Sequence, residues 1–542
     1  MFFRVLITLA IFLPLAPALL PPAFEAVSSR VGLHAVLRNG ATPEKHQIET
    51  MAGGVAVIDF DNDGRPDLFL TNGAPQPGLR KTGPEWWNRL YHNRGDGTFE
   101  DVTEKAGLKG EGFSIAAAVA DFDNDGWPDI FVAGVQRNFL YRNRGDGTFE
   151  DVTEKARIPH TGWAVGGAFF DADNDGWNDL LIVNYVQWNP SAEASCGDLA
   201  RGVRTYCHPR FYEPLPNILL HNNRDGTFSD VSGQSGIGAY AGKGMGAAIG
   251  DYDGDGRLDF VITNDTTPNF LFHNEGGMKF RQVGMEAGVA LNEDGRALSS
   301  MGVDFRDIDN DGREDLFITA LANETYPYYR NSGQGLFKDM TYLSRLGAQT
   351  MALTGWGVGI YDFDNDGRKD LFTANSDVND NTELFSSRES KQRCAVFWQR
   401  TPNRFERQLV GEPAWNRGAA FADFNGDGLM DIAVARLNDT PALFLNRSGE
   451  GSHWVGFVLE GKRSNRDGIG ARLHLLSASG EQWNRCTTAV GYASASERVV
   501  RFGLGGDARV ARLEIEWPSG VKQTLENFEA DRVIKVREPA RP

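Results

Sequence analysis

Short apolar runs separated by polar turns return in the same order along most of the chain. The first run of each set is rich in small residues, as in GGVAVIDF, SIAAAVADF, AVGGAFFDA, GMGAAIGDY and GWGVGIYDF. A nine-residue acidic turn follows, and then a bulkier run such as DLFL, DIFV, DLLIV or DFVIT. Runs of this length, rich in β-formers and bounded by Gly, Asn and Asp, predict strands. Further on come RLYHNRGDGTFEDVTEKAGL, FLYRNRGDGTFEDVTEKARI and ILLHNNRDGTFSDVSGQSGI, with looser copies beginning FLFHNEGGMKF, YYRNSGQGLFKDM and ALFLNRSG. Asp-Gly tips predict tight hairpins, because both central residues need positive φ. Each unit therefore reads strand, acidic turn, strand, loop, strand, hairpin, strand. Four strands repeated in tandem predict propeller blades. Gly and Ala fit the crowded innermost strand, and the bulkier run fits between blades.

The acidic turn occurs seven times, starting at Asp59, Asp121, Asp171, Asp251, Asp307, Asp362 and Asp423. The start-to-start spacings are 62, 50, 80, 56, 55 and 61 residues. The sixth unit is irregular, running through ELFSSRES to NRFERQLV. The seventh stops after its third strand at ALFLN, while FEAVSSRVGL near the start of the chain matches FEDVTEKAGL, a fourth strand with no acidic turn before it. An N-terminal strand that completes the last blade closes the ring and removes a sheet edge. The predicted fold is all-β: a seven-bladed propeller over residues 24–450, closed by its N-terminal strand. After Gly451 the period breaks, and alternation predicts a small β-sandwich-like domain over 451–540.

Four aspartates in nine residues repel one another unless something offsets their charge. Oxygen ligands at positions 1, 3, 5 and 9, with Gly at the sharp turn at position 6, suit Ca²⁺, which takes six to eight oxygens; the carbonyl at position 7 supplies another. Position 12 is not acidic and the flanks are strands, so the turn is not an EF-hand. The predicted ligands are Asp59, Asp61, Asp63, Arg65 and Asp67, then Asp121, Asp123, Asp125, Trp127 and Asp129, then Asp171, Asp173, Asp175, Trp177 and Asp179. They continue as Asp251, Asp253, Asp255, Arg257 and Asp259, then Asp307, Asp309, Asp311, Arg313 and Asp315, then Asp362, Asp364, Asp366, Arg368 and Asp370. The last set is Asp423, Asn425, Asp427, Leu429 and Asp431, whose Asn425 weakens that site. Arg, Trp and Leu at position 7 act through their backbone carbonyls. Up to seven calcium ions are expected.

The loops account for the acidity. The formal net charge is −18, and without the 27 loop aspartates it would be +9. The charge is therefore no sign of a basic partner, and no basic stripe points to nucleic acid. The start, MFFRVLITLAIFLPLAPALLPPA, reads as a secretory signal peptide over residues 1–18 with an A-x-A site at Ala16-Pro17-Ala18. No other stretch is apolar enough to span a membrane, so a secreted, periplasmic or cell-surface protein is expected, with no transmembrane segment in the mature chain. Export permits a disulfide, and Cys196 and Cys207, in one insertion, are the expected pair. Nothing in the sequence decides whether Cys394 and Cys486 pair.

In an up-and-down blade the first and third turns share a face. The acidic turns and hairpin tips therefore lie together, and the long insertions lie opposite. Those insertions carry Trp86, Trp87, Tyr185, Trp188, Tyr206 and His208, candidates for a ligand face on a rigid scaffold; packing as lids is the equal alternative. No G-x-S-x-G, H-E-x-x-H or P-loop pattern is present, and no catalytic residue is predicted. His92, His221 and His273 occupy one repeat position and read as structural repeats. Arg94-Gly95-Asp96 and Arg144-Gly145-Asp146 are hairpin tips, where Gly and Asp are expected in any case.

The acidic turns resemble the FG-GAP/VCBS repeats of integrin α-subunit propellers. HWVGFVLEGKRSNRDGIGARL, with RFGLGG and LEIEWPSG, looks like the ASPIC/UnbV domain. The combination is similar to the cartilage acidic protein 1-like family. No Cys-rich EGF-like module follows the β domain, which favours a bacterial-type member. The resemblance implies integrin-like calcium ligands at the aspartates named above. The expected function is non-enzymatic binding or adhesion to a glycan or an extracellular protein. The alternatives are an extracytoplasmic enzyme, polysaccharide-active or secondary-metabolite-tailoring, on the insertion face, and a scaffold for a partner protein.

Overall fold

The structure is a computed structural model and describes residues 22–540 except 161 and 450; the predicted signal peptide lies outside the described residues. Before the tail, the described residues form seven four-stranded antiparallel sheets, six of them with their strands side by side in chain order. Their inner strands are Val55–Ile58, Phe113–Ala120, Ala164–Phe170, Gly244–Gly250, Val303–Arg306, Gly355–Tyr361 and Asn416–Ala422. Each inner strand packs against the next, and the last packs against the first, so the ring is closed. The seventh sheet is completed by Phe24–Ala26, with Phe24 opposite Asn446 and Ala26 opposite Phe444. The Phe24 ring meets Phe363 of blade 6 edge-on, at 5.5 Å. Among the described residues no helix is long and apolar enough to cross a membrane.

A polar stitch joins every blade to the one before it. The third strand ends in Asn93, Asn143, Asn222, Asn274, Asn331, Gln399 or Asn446, each buried. Its side-chain amide donates to the carbonyl at position 2 of the preceding blade's acidic turn: Asn143 to Phe60, Asn222 to Phe122, and so on round to Asn93 and Phe424. A buried amide must be satisfied, and here its partner lies in another sheet. The N of the recurring NRGDGTF motif is thus a seam residue.

The tail is a two-sheet sandwich. His453–Glu460 lies between Val500–Gly505 and Arg532–Arg537, and the facing sheet is Gly480–Arg485, Arg472–Ser477, Arg509–Glu516 and Lys522–Glu529. Phe457, Phe502, Leu513, Ile515 and Trp517 fill the space between. One loop leaves the sandwich altogether. Residues 487–497, TTAVGYASASE, run into the propeller axis. Thr488 Oγ1 donates to Val119 O, Gly491 N to Val303 O and Ala495 N to Val55 O, while Glu497 N donates to Phe421 O. Tyr492 stands edge-on to Trp356 at 5.1 Å, and its hydroxyl donates to Met51 O at 2.6 Å. A Cβ on Gly246 would come 2.9 Å from Gly491 O. Inner strands of six blades therefore touch this loop. Small side chains are required where so many strands converge, which accounts for its Ala, Ser, Thr and Gly.

Candidate metal centre

Each acidic turn is built by its own side chains. The position-1 aspartate accepts from the backbone N–H of position 5 with one oxygen and of Gly at position 6 with the other. For Asp59 these are Asp63 and Gly64, at 3.0 and 3.1 Å; for Asp121, Asp125 and Gly126, at 3.1 and 2.7 Å. Holding that curl requires positive φ at positions 4 and 6. Position 4 is Asn62 (56°), Asn124, Asn174, Gly254, Asn310, Asn365 or Gly426, and position 6 is always Gly, as at Gly64 (84°). The position-9 aspartate is buried in all seven turns. One of its oxygens accepts from the third strand, as from Asn93 N to Asp67 at 2.7 Å; the other accepts from position 2, as from Phe60 N at 3.2 Å.

The carboxylates converge. Ligand atoms of Asp59, Asp61 and Asp67 lie within 4.8 Å of one another, as do those of Asp121, Asp123 and Asp129. Oδ1 of Asp61, Asp173 and Asp309 is buried without a hydrogen-bond partner. Burial pushes Asp59 up to about 6, Asp171 to about 7 and Asp67 to about 8. It moves Asp129, Asp315 and Asp431 well above the usual carboxylate range. A carboxyl held above neutrality ionises readily at pH 7 only beside a cation, and partnerless buried carboxylate oxygens fit a divalent ion. In the seventh turn Asn425 donates its amide to Asp427 Oδ2 at 2.7 Å, a contact the aspartates elsewhere cannot make. Hairpin tips and acidic turns share a face, as Arg65 Nε bonding to Asn93 O illustrates. Asp96 and Asp146 cap Thr98 and Thr148 within their own tips.

The tail sits on this same face. Asp467 accepts from Asp121 N at 2.7 Å, Arg466 N donates to Asn124 Oδ1 at 2.8 Å, and Gly505 N donates to Asn365 O at 2.7 Å. Arg501 lies 3.3 Å from Asp423, and Arg472 donates to Gly312 O at 2.6 Å. Buried Arg485 pairs with Glu314, which in turn accepts from Asp251 N. These contacts reach acidic turns of five blades.

The opposite face is made by residues 38–50 and the insertions. Cys196 and Cys207 form a disulfide, with Cα atoms 5.3 Å apart, while Cys394 and Cys486 are buried free thiols. Of the six aromatic candidates there, three pack as lids and leave the ligand face to the others. Tyr185, Trp188 and Tyr206 are buried and engaged by acidic partners: Tyr185 by Asp265 (2.7 Å), Trp188 by Glu193 (3.0 Å), Tyr206 by Glu49 (3.0 Å). They staple the insertions down and offer no free ring. Trp86 and Trp87 are half-buried beneath cations, Arg38 at 6.0 Å and Lys109 at 4.3 Å. His208 is exposed, and its Nδ1 accepts from Arg210 N. Large apolar side chains that face solvent on the insertions include Leu199, Phe211, Leu384 and Phe385. The loops bearing them are tied together by Asn381 donating to Arg204 O and Tyr206 N donating to Asn379. An apolar residue flanked by polar ones in RFYE and TELFSS was the available sequence signal. His46 and Glu193 pair at 2.5 Å beneath this surface. Beside Arg417 the nearby cavity is about 10 Å³, room for a single water.

The FG-GAP-like repeat family matches residues 59–132, 121–182, 213–262, 251–318 and 307–373, and the family described as ASPIC and UnbV matches 461–542. Among characterised proteins the chain is similar to cartilage acidic protein 1 of Mus musculus, 25% identical over 320 residues, covering 57% of this chain and 47% of that protein. The Homo sapiens protein is 25% identical over 322 residues, covering 57% and 46%. The match thus spans about half the length of these relatives. Among solved structures, a lectin of Agrocybe aegerita aligns with TM-score 0.40 and 16% identity, over 72% of this chain and 87% of that one.

Proposed function

This chain belongs to the FG-GAP-like repeat family and carries an ASPIC and UnbV domain; on that premise we propose that it is an exported, calcium-loaded binding protein whose insertion face engages a glycan or an extracellular protein. One observation carries the choice of face. The tail covers the acidic-turn face and fills the axis, so the broad solvent-facing surface of the propeller is the opposite one. That surface carries exposed Leu199, Phe211, Leu384 and Phe385 on loops clamped by the disulfide and by cross-loop hydrogen bonds. Rigid loops with exposed apolar anchors lower the ordering cost of association. Calcium holds the scaffold from the other side.

The test is a screen of calcium-loaded protein on glycan and extracellular-protein arrays, repeated with Phe211→Ala/Phe385→Ala and with Trp86→Ala/Trp87→Ala. Loss of binding in either variant with melting unchanged supports the assignment. Undiminished binding in both rules this face out. A second reading, an extracytoplasmic enzyme, is favoured by the His46–Glu193 pair alone. Glu193 is otherwise saturated by Tyr212, Trp188 and Gln47 N, as in a loop staple. Turnover of any polysaccharide that His46→Ala abolishes, with binding retained, would favour the enzyme.

A further inference from the structure

The seven turns share their aspartates, apart from Asn425 in the last, but not the residue facing them from the third strand of the same blade. That position holds His92, His221 and His273 in blades 1, 3 and 4, Arg142 and Arg330 in blades 2 and 5, Trp398 in blade 6 and Leu445 in blade 7. Each imidazole directs Nδ1 into its turn. Nδ1 lies 3.3, 3.1 and 3.3 Å from the position-9 carboxylates of Asp67, Asp179 and Asp259. It lies 3.6, 4.0 and 3.5 Å from the position-3 carboxylates of Asp61, Asp173 and Asp253.

Three further observations bear on what this arrangement holds. The Nδ1 atoms of His92 and His273 are buried with no partner in hydrogen-bonding geometry, and so is Oδ1 of both Asp61 and Asp173. The rings of His92 and His273 are fixed edge-on by the aromatic residue at position 2 of the turn, Phe60 and Tyr252, each at 5.7 Å. Ligand atoms of His92 with Asp61 and Asp63, of His221 with Asp173 and Asp179, and of His273 with Asp253 and Asp259 fall within 4.8 Å of one another. Blades 2 and 5 do the reverse. Arg142 bonds to Asp123 and Asp125, and Arg330 to Asp309 and Asp311, placing a permanent cation where the others place an imidazole nitrogen. Calcium takes oxygen ligands, whereas imidazole suits first-row transition ions.

We propose that the turns of blades 1, 3 and 4 are mixed nitrogen–oxygen sites for a divalent first-row transition ion, Mn²⁺ through Zn²⁺, with Nδ1 of His92, His221 and His273 as a ligand. The proposal rests on the metal reading of the turns. The other four turns are oxygen-only sites. Ligation uses the neutral ring with its remaining proton on Nε2, so a ring that is protonated beforehand releases one proton to solvent as the ion binds.

The experiment starts from the calcium-loaded full chain, exchanged into Mn²⁺ and studied by pulsed electron paramagnetic resonance. The wild type shows nitrogen modulation from a directly bound imidazole. His92→Asn/His221→Asn/His273→Asn, checked for unchanged melting in calcium, loses that modulation while still taking up Mn²⁺. Arg142→His strengthens it. Uptake of Mn²⁺ by the wild type without nitrogen modulation overturns the proposal and leaves the calcium reading standing. Retention of no ion at all overturns both. The wild-type spectrum decides the matter even if the triple variant fails to fold.

Discussion

On the metal reading of the turns, stripping the ion inverts the pH dependence of stability, and Asp67 shows why. Its carboxyl is fully buried between two backbone N–H donors, and burial pushes its pKa to about 8, against an unfolded value of about 3.9. Between pH 5 and pH 7 the metal-free folded chain keeps that proton, while the unfolded chain has lost it. The folded state then binds one more proton, and stability falls by about 1.4 kcal/mol for each pH unit gained, or about 3 kcal/mol over this window for Asp67 alone. The stabilising contribution is complete below about pH 4 and is lost as the pH rises towards 8. Asp129, Asp315 and Asp431 move in the same direction for the same reason. With a divalent ion bound in the turn the sign reverses. Protons then compete with the ion, and each occupied site adds about 2.7 kcal/mol at a hundredfold excess of ion over its dissociation constant. The assay is thermal melting of protein stripped with EGTA at pH 8 and exchanged into calcium-free buffer at pH 5, 6 and 7, beside the calcium-loaded protein. Stripped protein melts highest at pH 5, and loaded protein melts highest at pH 7. The reasoning fails if the stripped protein is weaker at pH 5 than at pH 7, or if stripping leaves the pH 7 melt unchanged.

Other outcomes follow from the seams. Tyr492→Phe leaves Met51 O without its donor in the filled axis and costs about 1–3 kcal/mol, whereas Tyr492→Ala also empties the space beside Trp356 and costs about 3–5 kcal/mol; denaturant melts compare the two. Asn143→Ala opens the stitch between blades 1 and 2, strands Phe60 O, and lowers stability by about 1–3 kcal/mol in the same assay. In Gly428→Ala the new Cβ would lie 1.9 Å from the Trp454 ring, at a φ of +86° unsuited to alanine, so the tail lifts from blade 7 and protease cuts the 447–452 connection faster than in the wild type. Thiol titration of the denatured, unreduced protein returns two equivalents, Cys394 and Cys486.

The repeat was legible in the sequence because every copy must form the same turn, and only Asp at positions 1 and 9 with Gly at position 6 supplies the bonds that fold it. Closure by Phe24–Ala26 was legible for the same reason: a fourth strand without its acidic turn has one place to go. What escaped the reading depends on contacts across blades. Nothing local in TTAVGYASASE distinguishes an axial filler from a surface loop, since its partners are spread over residues 51–421. The stitching role of Asn143 is equally silent, because Phe60 O belongs to another sheet. Tyr185, Trp188 and Tyr206 looked available because they sit in polar, Pro-rich insertions, but Asp265, Glu193 and Glu49 satisfy their polar atoms and allow the rings to be buried.

Closure by the first strand also sets an order on synthesis. Phe24 and Asn446 are paired although 422 positions separate them. A ribosome releases the earliest residues long before their partner exists, and until then the half-made ring carries two bare edges that invite pairing with other chains. Any fragment halted before residue 446 keeps both. Nascent copies of this protein are therefore most vulnerable to sticking to one another late in translation, when six blades are assembled and the clasp is still open.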